Sequence, residues 1–231
     1  MILLGLCLIA FACTRLRGTD AAVLVLCGLV TGLMSIPSIR ITFESSLPWH
    51  MVGHIVVMFI VPLFVGWVVA RYRPIVVRWP WMSAISLNVV MIAGHVPRIF
   101  DFVMTHGWWA TELMNLTFFA SGMWFFLCLW QMSTPLRWSI LGVIATMAVM
   151  LFLAMSMSIF SSTSWYSSMA SMPGMVMASD FSSQQLASAI LWICGDLWAV
   201  PMLVVLLRRV TEREGSLLGA VQRYSEPPSR R

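Results

Sequence analysis

The sequence predicts an all-α membrane protein with a bundle of seven spanning helices. Hydrophobic residues make up 60% of the 231 residues, only 10% are charged, and the mean hydropathy is +0.88. A water-soluble domain carries about 25% charged residues, so this composition excludes one. Most of the apolar residues fall in runs near the roughly 20 residues that a helix needs to cross a bilayer core of about 30 Å. The arginines lie mainly in the breaks between those runs.

Short charged or proline-bearing segments separate seven apolar runs, each of which predicts a helix. The predicted helices lie near residues 1–14, 21–37, 49–70, 79–97, 111–132, 139–160 and 184–207. The first run is short and lacks the basic leader and cleavage site of a signal peptide, which indicates a short or tilted helix. Residues 1–213 are thus predicted to form one transmembrane domain. The polar tail, residues 214–231, has too little apolar surface to fold alone and is predicted to be disordered.

The distribution of arginine predicts the orientation of the helices. The chain has no lysine, and twelve of its fourteen arginines lie on one side of the predicted bundle. Only Arg40 and Arg98 lie on the other side. By the positive-inside rule the arginine-rich side is cytoplasmic, which places the amino terminus outside and the carboxyl tail inside. We therefore expect a multi-pass protein of the bacterial inner membrane, surrounded by the lipid bilayer and without a nucleic-acid partner.

All four histidines lie at or just beyond the predicted outer end of the bundle. His50 and His54 are four residues apart at the start of the third helix, so their imidazoles share one helix face. His95 ends the fourth helix, where Pro97 stops it at the same surface. A short connection joins these two helices, which predicts that they pack side by side and bring the three rings together. His106, in the outer segment that follows, is a candidate fourth ligand.

A methionine-rich loop before the last helix offers a second kind of ligand. Four thioethers fall within nine residues of a segment broken by proline and glycine: Met169, Met172, Met175 and Met177. Neutral sulfur together with imidazole favours Cu(I), whereas calcium and magnesium need oxygen ligands. The sequence therefore predicts a copper site at the outer face. The alternative is that the histidines bond only to water or headgroups and the methionines lie on the membrane surface.

Five further polar residues are candidates for functional roles. Asp101, Glu112 and Asn115 lie near the outer surface, as outer-shell partners that orient a ligating imidazole or as ordinary solvated polar groups. Asp196 lies inside the seventh predicted span. A carboxylate at this depth needs a polar partner, water or a proton, and Asn88 of the fourth span is the predicted partner. The pair indicates either a structural hydrogen bond or a path for protons or ions.

Several short blocks of the sequence resemble the CtaG family of caa-type cytochrome c oxidase assembly factors. They occur in the family's order and extend over most of residues 15–213. The blocks are PWHMVGH at 48–54, HVP at 95–97 with FD at 100–101, LTFFASG at 116–122, QQLA at 184–187 and LWICG at 191–195. The chain departs from the family at Met114 and Asn115, where members tend to carry a Glu-His pair, and at Asp196, where members usually have glycine.

The resemblance implies an integral protein that helps a copper-containing oxidase to mature, with His50, His54 and His95 at positions that serve metal handling. Together with the residues, it predicts a metallochaperone without enzymatic turnover. Such a protein binds Cu(I) at the outer membrane face and passes it to an oxidase subunit or another copper carrier.

Three alternative functions fit the same sequence. A haem b membrane protein would use histidines on facing helices as axial ligands. A copper or proton permease would use Asp196 and Asn88 along its path. An accessory subunit would stay in the oxidase complex, with histidines that are merely interfacial.

Overall fold

The computed structural model describes residues 1–44, 46–72, 79–131, 133–161, 165 and 181–214. Within these residues every regular element is helical, which confirms the all-α prediction. The α-helices are α1 (Ile2–Arg15), α2 (Gly18–Leu33), α3 (Pro37–Glu44), α4 (Leu47–Ile55), α5 (Val61–Tyr72), α6 (Pro80–His95), α7 (Pro97–Thr105), α8 (Trp108–Trp130), α9 (Leu136–Ser158), α10 (Phe181–Ile193) and α11 (Ala199–Glu214). A π-helical turn, Val56–Ile60, joins α4 to α5, and a 3₁₀ turn, Gly195–Trp198, joins α10 to α11.

Four helical segments are long and apolar enough to cross a membrane. They are Leu47–Tyr72, Trp108–Trp130, Leu136–Ser158 and Ser182–Glu212. Two bent pairs of helices would each add one span, with angles of 82° between α2 and α3 and 71° between α6 and α7. The apolar helix α1 has only 14 residues. The chain is thus a multi-pass membrane protein with four to six candidate spans among the described residues, while the seven-span topology and its orientation stay predictions.

The outside of the bundle is apolar, as expected of a surface that faces lipid. Leu3, Trp108, Ile159 and Phe160 are between 66% and 75% exposed. Soluble monomers rarely expose large continuous apolar patches, whereas a membrane bundle has no need to bury them. Two buried charged residues, Asp20 and Arg209, tie one part of the bundle to another.

Helix α8 is central to the packing that positions the histidines. It packs against both α5 and α6, and α6 packs also against α9. Helix α4 packs against α3 and α10. Among the described helices, α5 and α6 of the third and fourth predicted spans both pack against α8, and the two spans touch each other directly at the rings of His54 and His95. The predicted contact between these spans is thus found at this end and does not extend along the helices. The short connection between these two spans limits how far apart they lie, but it does not determine that α8 packs against both of them.

The π-helical turn follows from Pro62, near the start of α5. Proline has no N–H and its ring crowds the carbonyl four residues earlier, which here belongs to Met58. Gly122 of α8 packs directly on that carbonyl, since a Cβ at this position would overlap the Met58 oxygen and lie 3.2 Å from Pro62 Cγ. About two turns after Gly122 on α8, Trp130 donates its indole N–H to Leu63 O of α5 at 3.0 Å. Helix α8 thus holds the widened turn that directly follows α4.

Asp20 ties α2 to α5 at the end of the bundle opposite His50. Its carboxylate, in the first turn of α2, is buried and accepts hydrogen bonds from Arg71 Nη1 at 2.9 Å and from the Tyr72 hydroxyl at 2.8 Å. The Arg71 guanidinium also lies 4.9 Å from the centre of the Trp67 ring. This polar contact fixes the end of the span that begins with the histidines.

Arg209 ties α11 to the connection between α8 and α9. The residue is only 2% exposed. Its Nη1 donates to Leu129 O at 3.2 Å and to Ser139 Oγ at 3.5 Å, and its Nη2 donates to Thr134 O at 2.6 Å. The guanidinium therefore satisfies one carbonyl in the last turn of α8 and one in the connection that follows it.

We expect Arg209→Met to lower the stability of the detergent-solubilised protein by about 1–3 kcal/mol, because buried carbonyls at Leu129 and Thr134 lose a charged donor. Thermal unfolding measures the change. Arg208→Met is the matched control, since Arg208 is exposed and pairs with Glu212 on its own helix, an arrangement that contributes little. Equal melting temperatures for the two variants would contradict the role assigned to Arg209.

Candidate metal site at the histidine cluster

Three of the four histidines meet inside the bundle. His50 and His54 lie one turn apart on α4, with ring centroids 4.2 Å apart and ring planes at 64°. The His54 centroid lies 5.5 Å from that of His95, the last residue of α6. The three residues are 5%, 2% and 1% exposed. The structure thus brings these three predicted ligands together, in a buried cluster rather than at an open surface.

Aromatic side chains enclose this cluster. The edge-on Phe118 ring of α8 has its centroid 4.6 Å from that of His54, and the Phe100 ring of α7 lies 5.1 Å from that of His50. Gly94, next to the end of α6, leaves room for Phe118, because a Cβ at that position would overlap its ring. The bend between α6 and α7 places Phe100 over the cluster. These rings limit the access of lipid and bulk water to the imidazoles.

The hydrogen bonds of the imidazoles define which nitrogens can bind a ligand. His95 Nδ1 lies 2.7 Å from Met91 O, and since a carbonyl only accepts, Nδ1 carries the proton and Nε2 the lone pair. Metal-binding histidines usually have such a bond, which fixes the tautomer and the ring orientation. Within the described residues, neither nitrogen of His54 has a hydrogen-bond partner, nor does Nε2 of His50. Buried polar atoms of this kind are rare, and a metal ion would satisfy the lone-pair nitrogen of each ring.

A cavity of about 40 Å³ lies against His50 and His54. This volume has room for an ion with a few water molecules. The remaining lining residues come from the amino terminus, α2, the bend after it, α3, α4, the π-helical turn and α8: Met1, Thr31, Met34, Ser35, Arg40, Phe43, Gly53, Val57, Thr111 and Asn115. The wall is therefore mixed, with hydroxyl, amide and guanidinium groups as well as the thioethers of Met1 and Met34.

A wider cavity of about 540 Å³ adjoins the smaller one. The two share Met1, Ser35 and Arg40 in their linings. Trp108 and Glu112, at the start of α8, also line the wider cavity. The side chains shared by the two cavities thus lie between the histidines and the roomier space near the end of the bundle.

The histidine cluster is not a ready three-ligand site. Among the described residues, no group of three His, Cys, Asp or Glu side chains is placed to hold a metal ion. The donors that are present suit a soft cation, and the nitrogens of His54 need a partner. A complete site therefore needs a change of side-chain rotamer or a donor of another residue type.

His106 lies away from the other three histidines. It is exposed at the end of α7, where its ring stacks on Phe102 with centroids 3.8 Å apart. Its Nδ1 lies 2.7 Å from Phe102 O, and the Trp109 ring is 6.3 Å away. The structure does not bring this predicted ligand into the cluster, because the bend at Pro97 carries α7 outward along the end of the bundle.

The three residues that were predicted to orient the ligating imidazoles lie in three different places. Asn115 of α8 lines the histidine cavity itself. Glu112, one turn earlier, lines the wider cavity and accepts a hydrogen bond from the amino group of Met1. Asp101 is half-buried on α7. The predicted methionine ligands Met169, Met172, Met175 and Met177 lie outside the described residues.

Asn88 and Asp196 do not form the predicted pair. Asn88 instead donates to Thr146 Oγ1 of α9 at 3.3 Å. Asp196 lies half-buried in the 3₁₀ turn, where its Oδ1 has no hydrogen-bond partner within the described chain. Pro201, which lacks an N–H, lies in the first turn of α11 and prevents a regular helix from continuing through this turn.

Several cavity residues were not recognised in the sequence. Thr31, Met34 and Ser35 come from the end of α2, and Thr111 begins a turn of α8. The feature of the sequence that could have indicated these residues is Pro37, which follows the end of α2 and begins α3 at the bend that leads to α4. Hydropathy shows where a span ends but not which neighbouring span its last side chains face.

Comparison with known proteins gives one result that covers most of the chain. The family model for the cytochrome c oxidase caa3 assembly factor, Caa3_CtaG, matches residues 19–213. The matched region runs from α2 into α11 and contains His50, His54 and His95. No curated protein and no solved structure matches the chain.

Proposed function

The chain belongs to the cytochrome c oxidase caa3 assembly factor family, and we propose that it handles Cu(I) at the outer face of the bacterial inner membrane while the oxidase matures. The observation that carries this proposal is the buried His54 ring, with both nitrogens unpartnered among the described residues and two further imidazoles beside it. Imidazole suits copper, and the aromatic rings of Phe100 and Phe118 around the cluster favour the low charge of Cu(I). Copper is the cargo of the protein in this proposal.

His50 and His54 bind the ion from one face of α4. His95 is held by its bond to Met91 O, which places the lone pair on Nε2, and it joins or replaces one of them when the ion moves. Transfer takes place by exchange of one ligand for another, as donors of the oxidase subunit or another copper carrier displace imidazoles. No covalent bond of a substrate is made or broken, so the protein has no enzymatic turnover.

The wider cavity offers the ion a route between this cluster and the surface. Arg40 and Ser35 line both cavities, and Glu112 lies farther out. The methionine-rich segment, residues 169–177, supplies soft ligands that carry the ion to or from this opening, a role based on its composition. Phe118 lies against the His54 ring and Phe100 against the His50 ring, where they enclose the cluster.

The proposal is tested with the oxidase purified from a strain that lacks this protein. We expect normal haem content and reduced copper content, restored by the wild-type protein but not by the His54→Ala variant at equal membrane abundance. Metal analysis and the reduced visible spectrum measure the two cofactors separately. Loss of haem with normal copper would overturn the proposal and support a haem-related function.

The unpartnered Oδ1 of Asp196 is the observation that favours a permease as the second candidate. We expect Asp196→Asn to leave the copper content of the oxidase unchanged, because the 3₁₀ turn of Asp196 joins α10 to α11 while the cavity at His50 and His54 has no lining residue from either helix. Metal analysis of the oxidase and copper uptake by vesicles are measured side by side. Copper loss as large as that of His54→Ala, together with lost uptake, would support ion passage instead.

A further inference from the structure

We infer that Met34 is a thioether ligand of the copper site and makes that site selective for Cu(I) over Zn(II). This inference rests on the proposed function, since it names a further donor of the same site. It assigns a direct role to a methionine at the end of the second helix, on the wall of the cavity that holds His50 and His54.

The backbone at Met34 is fixed by the end of α2. Its N–H donates to Val30 O at 3.0 Å, and the next N–H, of Ser35, donates to Gly32 O at 3.1 Å. The chain then bends by 82° into α3. The residue therefore lies at a defined helix end, and its half-buried side chain lines the cavity beside α4.

The Met34 side chain packs against α4 beside Gly53. Its methyl carbon Cε is 3.5 Å from the position that a Cβ on Gly53 would occupy. Gly53 follows His50 by three residues and is therefore its neighbour on the helix surface. Met34, Gly53, His50 and His54 line the same cavity, so the thioether borders the space that the two imidazoles border, and the absence of a side chain at Gly53 leaves it room.

The donor set explains why the histidine cluster alone is incomplete. Three His, Cys, Asp or Glu side chains are not placed around one point in the described residues, but two imidazoles and the thioethers of Met1 and Met34 line one cavity. Of the two methionines, Met34 is the one that lies against Gly53 of α4. A neutral sulfur completes a site for Cu(I) without adding charge. Zinc prefers thiolate, imidazole and carboxylate donors, so a thioether contributes little to its binding.

The hydroxyl groups of the cavity are weaker candidates for this role. Thr31 donates its hydroxyl to Cys27 O at 2.7 Å, and Ser35 donates to Thr31 O at 3.2 Å. Both hydroxyls are thus bonded to their own helix, and neutral oxygen is a poor ligand for a soft monovalent ion. Met34 is the cavity residue near Gly53 whose chemistry fits Cu(I).

The test compares Met34→Leu with Met51→Leu, two substitutions that conserve volume. Met51 is fully buried on α4 and does not line the cavity, so it controls for the loss of a nearby methionine. Competition with a chromogenic Cu(I) chelator in nanodiscs is expected to show a loss of affinity of about 10-fold or more for Met34→Leu. Zn(II) affinity is expected to stay at the wild-type value in both variants.

Unchanged Cu(I) affinity in Met34→Leu, with affinity lost in His54→Ala, would overturn this inference and leave the proposed function intact. Copper binding retained in His54→Ala would overturn the proposed function itself. Equal losses in Met34→Leu and Met51→Leu would also overturn the inference, because they would indicate a general effect of packing.

X-ray absorption at the copper edge gives a second readout that does not depend on affinity. We expect sulfur scattering in the Cu(I)-loaded wild type and its loss in Met34→Leu. The comparison variant has leucine at all four loop positions, Met169, Met172, Met175 and Met177, and is expected to keep the sulfur signal. Sulfur that persists in Met34→Leu and disappears in the loop variant would assign the thioether to the loop and overturn the inference.

Discussion

A His54→Ala variant is expected to lose Cu(I) affinity by more than about 100-fold, beyond the range that changes in outer-shell partners produce. His54 is the middle ring of the cluster, 4.2 Å from His50 and 5.5 Å from His95 between centroids. Its removal deletes two unpartnered nitrogens and separates the remaining rings. Competition with a chromogenic Cu(I) chelator, on protein in nanodiscs, measures the loss.

His106→Ala is the matched control for this prediction. His106 was predicted at the same end of the bundle as the other histidines but is exposed, with its ring stacked on Phe102. We expect its affinity for Cu(I) to equal that of the wild type. If both variants lost affinity to the same extent, the buried cluster would have no special role and the four histidines would act as a diffuse surface site.

Substitution of Gly122 by alanine is expected to destabilise the protein by about 3 kcal/mol or more, the upper end of the usual range for overpacking. A Cβ at Gly122 overlaps the carbonyl oxygen of Met58, which is backbone and moves only if the π-helical turn deforms. That turn directly follows α4, so a shift also disturbs His54. Thermal unfolding in detergent and the Cu(I) affinity are both expected to fall.

Gly32→Ala provides the control for the substitution of glycine in a helix. A Cβ at Gly32 would meet no atom within 4 Å, and alanine favours a helix by about 0.5–1 kcal/mol over glycine. We expect its melting temperature to equal or exceed that of the wild type. A Gly122→Ala protein as stable as this control would show that α5 and α8 tolerate a wider separation than the structure has.

Local features of the fold were predictable from the sequence because hydropathy and proline act locally. The seven apolar runs each coincide with a described helix, from α1 to the pair α10 and α11. Pro97 ends the helix of His95, as predicted. The π-helical turn before Pro62 was not predicted, because its form depends on the contact with Gly122 of another helix.

The candidate site was only partly predictable, because its composition depends on which helices are neighbours. The spacing of His50 and His54 placed both rings on one face, and the end of α6 placed His95 at the same level. The packing of α8 against both of these spans was not predictable from connection length, since close approach depends on shape, as between Gly94 and Phe118. The cavity wall was not predictable for the same reason, because hydropathy does not show that the end of the second predicted helix lies beside the start of the third.

Asn88 and Asp196 show the limit of reasoning from depth in the membrane. Asn88 lies within α6 and Asp196 in the 3₁₀ turn between α10 and α11. A similar predicted depth of two residues in the membrane does not determine the rotation of each helix about its axis. Asn88 faces Thr146 of α9. Rotation is set by the side chains at each helix contact, and a single sequence does not contain that information.

The most direct test of the account is the copper content of the purified protein after loading with Cu(I) and removal of unbound ion. The wild-type protein is compared with a variant in which His50, His54 and His95 are all alanine, and both must be folded as judged by circular dichroism. We predict bound copper in the wild type and only background copper in the triple variant. Equal copper in the two proteins would contradict the claim that these buried imidazoles form the metal site.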